Sequence, residues 1–194
     1  MKHKMTIMMM LLSVIVFVSC KNEEMPQEST QNEIIAFQEL LDDWQNDENF
    51  TEIMQNCDSA EYGYYDIEDD GVKELIVTTV RGLAIFKYDN SEIKRIYWST
   101  YSALLENGMI KYYRPGEAPE NERYVYYNYD GSEYIKIATF ERYDKDEDGD
   151  YDSGDLYIHD RNEVSKEEWD AKHKEYLEYK ESVLIDTGEI FIEK

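Results

Sequence analysis

Between residues 62 and 143 the chain is a succession of short β-branched and aromatic runs separated by brief turns. The turns include Arg81-Gly82, Asp89-Asn90-Ser91 and Asp130-Gly131. Links this short join antiparallel neighbours, because a parallel connection needs about a dozen residues or more. The segment therefore predicts an antiparallel β-meander.

We expect about seven to nine strands, at residues 62–67, 73–80, 83–88, 93–98, 102–105, 109–113, 123–129, 134–143 and 156–159. Apolar residues recur at helical spacing over 32–46, and a shorter helical piece is expected at 50–55. Ser165 and Glu168 form a capping-box pattern at the start of a C-terminal helix. The expected fold class is α+β, an antiparallel meander flanked by an N-terminal and a C-terminal helix. A final hairpin within 183–192 is a further expectation.

The N-terminus has the layout of a secretory signal peptide. Lys2 and Lys4 precede an uncharged run of 14 residues, 5–18, which is shorter than the roughly 20 residues of a membrane-spanning helix. The following Ser19-Cys20, with the two residues before it, resembles a bacterial lipobox. That resemblance implies that Cys20 is lipidated. The alternative is an ordinary signal peptide or an N-terminal anchor in which Cys20 has no role.

These features divide the chain into a signal peptide (1–19), a lipidated cysteine with a tether (20–31) and a single α+β domain (32–194). The expected location is the extracytoplasmic face of the cell membrane. The chain has 44 acidic and 20 basic residues, so anionic lipid would repel the domain. Attachment is therefore expected through the lipid on Cys20. The same charge argues against nucleic-acid binding. Two cysteines cannot form a disulfide framework or a zinc cluster.

A first acidic loop has oxygen ligands at alternate positions and a glycine for a sharp turn, as calcium loops do. Its candidate ligands are the side chains of Asp66, Glu68, Asp70 and Glu74 and the carbonyl of Val72. The loop resembles the DxDxDGxxDL loops of FG-GAP (integrin-type) repeats. Residues 62–77 also resemble the YxLxDIDGDGxPELIV signature of uncharacterised lipoproteins from Gram-positive gut bacteria, which implies a fold and a location rather than an activity.

Three residues depart from that pattern. Glu68 replaces a shorter Asp or Asn, Asp69 replaces a glycine, and Glu74 replaces an Asp. If the loop geometry is kept, Asp69 must adopt a left-handed backbone conformation. The alternative is an acidic turn whose carboxylates are merely solvated and whose Glu74 faces out of the strand.

A second acidic loop repeats this frame with the shorter aspartate side chains. Its candidate calcium ligands are Asp144, Asp146, Asp148, Asp150, Asp152 and Asp155. Seven carboxylates within twelve residues repel one another without a cation. We therefore expect Ca²⁺ to order one or both loops, the alternative here being a disordered acidic loop.

The aromatic residues leave two interpretations open. Alternation along strands sends some of them into the core, whereas the rest can form a platform for a glycan or a peptide. The candidates for such a platform are Tyr97, Trp98, Tyr101, Tyr112 and Tyr113.

Sequence motifs of enzymes are absent: the chain contains no GxSxG, no HExxH and no Gly-rich phosphate loop. We therefore expect a lipid-anchored surface protein without enzymatic activity, carrying one or two structural calcium loops. A module that binds a cell-surface glycan or protein is the alternative, and a cell-envelope hydrolase is a third.

Overall fold

The computed structural model describes residues 27–55, 57–115 and 121–191. The predicted signal peptide and Cys20 lie outside these residues. The described helices are α1 (Gln27–Asp42), a 3-10 turn (Trp44–Asn46), α2 (Glu48–Met54) and α3 (Lys166–Leu177). The strands are β1 (Ser59–Tyr65), β2 (Glu74–Thr78), β3 (Gly82–Asp89), β4 (Glu92–Thr100), β5 (Ser102–Leu104), β6 (Ile110–Pro115), β7 (Asn121–Tyr129), β8 (Tyr134–Tyr143), β9 (Leu156–His159), β10 (Asn162–Val164) and β11 (Ile185–Phe191).

The predicted α+β class with antiparallel strands is confirmed, but the strands form two sheets. The first sheet has the order β11-β1-β2-β3-β4 and the second β10-β9-β8-β7-β6-β5. Eleven strands are present in the described residues, against the seven to nine expected. One additional strand, β10, has only three residues and no apolar alternation to reveal it.

Both ends of the domain differ from the sequence expectation. Helix α1 begins at Gln27, so residues 27–31 of the predicted tether are helical. The C-terminal segment does not form its own hairpin. Instead β11 pairs antiparallel with β1, with Ala60 opposite Ile190. The sequence could not show this pairing, because nothing local to residues 185–191 specifies so distant a partner.

The chain passes from the first sheet to the second at Tyr101, between β4 and β5. Its N–H donates to the carbonyl of Arg81 at 2.8 Å, and its own carbonyl accepts from the N–H of Tyr113 at 2.9 Å. Its φ of 56° lies in the left-handed region, which costs a residue with a Cβ roughly 1–2 kcal/mol. Hydrogen bonds on both sides hold the corner in this conformation.

Helices α1 and α2 cover one face of the first sheet. Apolar residues of β2 and β3 meet the helices in a cluster that we call the helix-side core. Its buried members are Phe37, Leu41, Phe50, Ile53, Met54, Ala60, Tyr64, Leu75, Val77, Ala84, Phe86 and Ile190. The α2 helix is positioned by its N-cap, since Asp47 accepts a hydrogen bond from the N–H of Phe50 at 2.8 Å.

The opposite face of the first sheet packs on the second sheet through an inter-sheet core. Its buried members are Ile67, Ile76, Leu83, Ile85, Leu104 and Ile110. The outer face of the second sheet is covered by α3 through Leu105, Met109, Tyr126, Ala138, Phe140, Tyr157 and Trp169. The described domain is therefore a layered arrangement of helices, sheet, sheet and helix, and both sheets bury two faces over part of their area.

Truncation of Phe86 tests the helix-side core. Phe86 is 1% exposed, and its ring stacks on Phe50 with centroids 5.5 Å apart. We expect Phe86→Ala to lower the free energy of unfolding by about 3–5 kcal/mol, because it leaves a cavity that the two packed layers cannot close. Urea denaturation measures the change. The control is Val80→Ala at a position 89% exposed, which should change stability by less than about 0.5 kcal/mol.

Candidate functional site

The two acidic loops adopt the same backbone shape in different sheets. The first joins β1 to β2 and the second joins β8 to β9. At the fourth position Asp69 has a φ of 55° and Glu147 a φ of 61°, and at the sixth position Gly71 and Gly149 have φ values of 86° and 89°. The left-handed conformation expected of Asp69 is therefore present. The loops are two copies of one local structure.

In the second loop, the first aspartate receives backbone amides. Asp144 accepts the N–H of Glu147 at 2.9 Å on Oδ1 and that of Gly149 at 2.8 Å on Oδ2. At the fifth position, Asp148 Oδ1 accepts the N–H of Asp150 at 2.8 Å. The first loop has a similar pattern, in which Asp66 accepts the N–H of Gly71 at 2.7 Å on Oδ2 but that of the fifth residue, Asp70, at 3.1 Å on Oδ1, and Asp70 Oδ1 accepts the N–H of Val72.

A lysine lies among the carboxylates of the first loop. Lys87, on β3, pairs with Glu68, and its Nζ is 4.0 Å from Oε1 of Glu74. Within the described residues, no three of the loop's predicted carboxylate ligands come within 4.8 Å of one another. The first loop thus places an internal ammonium group beside two of the side chains that were expected to bind calcium.

Glu74 is buried beneath the first loop. It is 2% exposed, and its Oε2 accepts the N–H of Ile67 at 3.1 Å. Burial raises the pKa of Glu74 from 4.5 to about 7, and the Ile67 amide and Lys87 offset only part of this effect. Glu74 is therefore only partly ionised near neutral pH, which is unfavourable for a metal ligand.

In the second loop, three predicted ligands converge. One carboxylate oxygen from each of Asp144, Asp146 and Asp148 lies within 4.8 Å of the other two. Asp144 is buried, and the other two are exposed. This group can hold a metal ion.

The proton affinities of this group differ. Loss of hydration acts to raise the pKa of Asp144, but hydrogen bonds from the amides of Gly149 and Glu147 outweigh it and hold the pKa below its ordinary value. Loss of hydration and the charge of Asp148 raise the pKa of Asp146. Asp144 is therefore the more readily ionised member of this pair, and Asp146 takes up a proton more readily than a free aspartate does.

The remaining three predicted ligands of the second loop lie outside this group. Asp155 accepts the N–H of Lys145 at 2.8 Å and that of Asp152 at 2.7 Å, and so closes the loop through backbone hydrogen bonds. Asp152 accepts the N–H of Gly154 at 2.6 Å. Asp150 is exposed.

The structure separates the five aromatic candidates. Tyr97 packs in the inter-sheet core, with its hydroxyl 3.0 Å from the Ser102 hydroxyl, and Trp98 packs against the helix-side core. Tyr113 stacks on Tyr124 with ring centroids 4.8 Å apart. Tyr112 is half-buried, and Tyr101 is 59% exposed. These residues do not form one continuous platform.

A polar cluster beneath α3 was not predicted. The Arg142 guanidinium lies 3.9 Å from the ring centroid of Tyr151, a residue of the second acidic loop, and its Nη2 is 2.5 Å from Oε2 of Glu122. His173 is 1% exposed, and its Nε2 is 2.9 Å from the Tyr126 hydroxyl. No local motif marks these residues, because four separate segments contribute them.

In comparisons with known proteins, no family model, no curated protein and no solved structure matches the chain. Among the described helices, none combines the length and the apolar character needed to cross a bilayer.

Two buried groups should give opposite dependences of stability on pH. Burial, with a contribution from the charge of Arg142, lowers the pKa of His173 from 6.5 to about 4, so its contribution to stability is lost as the pH falls from 6.5 towards 4. Because the pKa of Glu74 is raised instead, its contribution is present below pH 4.5 and lost as the pH rises towards 7.

Urea denaturation across this pH range tests both assignments. We expect His173→Gln to lose less stability than the wild type when the pH falls. Glu74→Gln should lose less stability than the wild type when the pH rises, since neither glutamine titrates. Identical pH profiles for the wild type and both variants would contradict the two assignments.

Proposed function

We propose that this protein is a non-enzymatic domain held by a lipid on the extracytoplasmic face of the cell membrane, in which calcium fixes the second acidic loop. The observation that supports the calcium proposal is the convergence of Asp144, Asp146 and Asp148. The absence of enzymatic motifs from the sequence supports a non-enzymatic role.

The donor chemistry favours calcium over transition metals. All three side chains offer carboxylate oxygens, the ligands that hard cations prefer, whereas zinc sites in proteins are rich in histidine and cysteine. Ligands on opposite sides of a Ca²⁺ ion lie about 4.6–5.2 Å apart, which is twice a Ca–O distance. Separations within 4.8 Å therefore allow all three oxygens to reach one ion.

Preorganisation favours the second loop over the first. Two backbone amides already hold Asp144, so only the exposed Asp146 and Asp148 need to adjust to an ion. In the first loop, Lys87 already supplies positive charge to Glu68. A cation entering that loop would meet the ammonium group.

Calcium in the second loop would have a structural effect on the packing of α3. The loop carries Tyr151, which lies against Arg142, and Arg142 also lies 5.4 Å from the ring of Trp169 on α3. An ion would also relieve the repulsion among the loop carboxylates. Both effects would stabilise the native state.

Anchoring through Cys20 follows from the lipobox-like segment and from the charge of the chain. With a formal net charge of -24, the domain gains nothing from an anionic membrane surface. A lipid with more than one acyl chain supplies stable attachment without any contact between the domain and the bilayer.

Thermal unfolding with EDTA and then with millimolar Ca²⁺ tests the calcium site. We expect Ca²⁺ to raise Tm by about 5–10 °C, because an ion that binds only the native state stabilises it. Asp148→Asn should abolish the shift while keeping the acceptor for the Asp150 amide. The rise should shrink in mild acid as Asp146 takes up a proton.

The control is Asp70→Asn, the same substitution at the equivalent position of the first loop, which should leave the calcium shift unchanged. Equal loss of the shift in both variants would argue against a site confined to the second loop. An unchanged Tm in the wild type would reject the calcium proposal.

Radiolabelled palmitate and membrane fractionation test the anchor. We expect the full chain to incorporate label and sediment with membranes, and Cys20→Ser to do neither. Cys57→Ser is the matched control, because Cys57 is buried in the domain and should have no part in lipidation. Membrane attachment of the Cys20→Ser protein would point to an uncleaved N-terminal anchor instead.

A further inference from the structure

A groove of about 660 Å³ lies on the second sheet, on the face that looks towards the first sheet. Its lining residues are Arg123, Lys136, Thr139, Glu141, Ile158, Asp160 and Arg161. None of these residues belongs to the inter-sheet core, which takes its second-sheet members from β5 to β8. The groove is thus the part of this face that the first sheet leaves uncovered.

A β-bulge turns Lys136 into the groove. Tyr126 pairs with Ala138, but the next residue, Tyr127, pairs with Lys136, so Ile137 is an additional residue in β8. Ala138 faces α3, whereas Tyr127 and its partner Lys136 face the first sheet. Without the bulge, strict alternation would place Lys136 on the same face as Ala138.

The acidic side chains of the groove already have partners within the protein. Glu141 pairs with Arg123 at 3.3 Å and accepts the Tyr143 hydroxyl at 2.8 Å. Asp160 accepts the N–H of Thr139 at 2.8 Å and lies 3.4 Å from His159.

Two of the three cationic side chains of the groove have no such partner within the described residues. Among the described residues, neither Lys136 nor Arg161 has an ion pair or a side-chain hydrogen bond. Arg161 is held at the groove by the turn between β9 and β10, where its φ is 72°. Both side chains are exposed and line the same concave surface.

We propose that this groove binds an acidic glycan, a sugar chain bearing carboxylate groups. Lys136 and Arg161 would receive the carboxylates, since charge-assisted hydrogen bonds are the strongest polar contacts available there. Ile158 offers apolar surface to a sugar ring, and the carboxylate oxygens of Glu141 and Asp160 can accept further hydrogen bonds from sugar hydroxyls.

The size and the mixed polarity of the groove support this ligand class. Its volume is within the range of about 300–1,000 Å³ for small-ligand sites. A simple anion would use the cations alone and leave the acidic and apolar lining without a role. The proposal depends neither on calcium nor on the lipid anchor, because no lining residue belongs to the acidic loop or to the N-terminal segment.

Isothermal titration calorimetry with the full chain at low salt tests the proposal with four probes: trigalacturonate, neutral galactotriose, inorganic phosphate and a triglutamate peptide. We expect trigalacturonate to bind in the millimolar range or tighter, with affinity falling as salt is added, and neutral galactotriose and inorganic phosphate to bind at least about tenfold more weakly. The double variant Lys136→Gln/Arg161→Gln should lose at least about tenfold in affinity for trigalacturonate.

The matched control is Arg81→Gln/Lys174→Gln, which removes the same charge from two exposed side chains outside the groove. It should bind trigalacturonate like the wild type. An equal loss of affinity in both double variants would show that the loss reflects only the net charge of the protein, and would overturn the proposal. So would phosphate or a triglutamate peptide binding as tightly as trigalacturonate, or no heat from trigalacturonate in the wild type.

Discussion

The change of sheet at Tyr101 is the constraint on which the rest of the structure depends. A single residue bonds to the turn between β2 and β3 through Arg81 and to β6 of the second sheet through Tyr113. A meander that continued flat would bury one face at most. Because the chain turns here, the strands after Tyr101 fold back over those before it. Leu83 and Ile85 of the first sheet then pack against Leu104 and Ile110 of the second. The faces left outside are then available to the helices.

The sequence predicted the local features of the fold and missed those that depend on distant partners. Strand alternation and short turns were enough for the α+β class, and the serine cap of α3 was correctly placed, with Ser165 accepting the N–H of Glu168. The corner at Tyr101 contains no glycine or proline from which it could be predicted. The bulge at Ile137 could not be predicted either, because an additional residue in a strand is recognised only from the pairing with the neighbouring strand. For the same reason the sequence did not indicate the groove.

The acidic loops show why a motif predicts conformation better than ligand. Both loops have the backbone that their common frame predicts, including the left-handed fourth residue. Their surroundings then separate them: Lys87 reaches the first loop from β3, and burial raises the pKa of Glu74 to about 7, whereas the second loop brings together the buried Asp144 and the exposed Asp146 and Asp148. Neither the lysine nor the burial is encoded within the loop itself. The longer Glu68, at the position where the second loop has Asp146, falls in the loop that lacks the carboxylate cluster.

The pairing of β11 with β1 has a consequence for the order in which the protein is made. The first sheet contains the earliest described strand, yet its outer row of backbone hydrogen bonds is completed by the last described strand. While the chain emerges from a ribosome or a translocon, one edge of β1 stays unpaired until residues 185–191 have appeared. An open strand edge is a template for intermolecular pairing. The second sheet, whose strands are all sequential neighbours, has no such delay, so the half of the domain synthesised first is the half that finishes last.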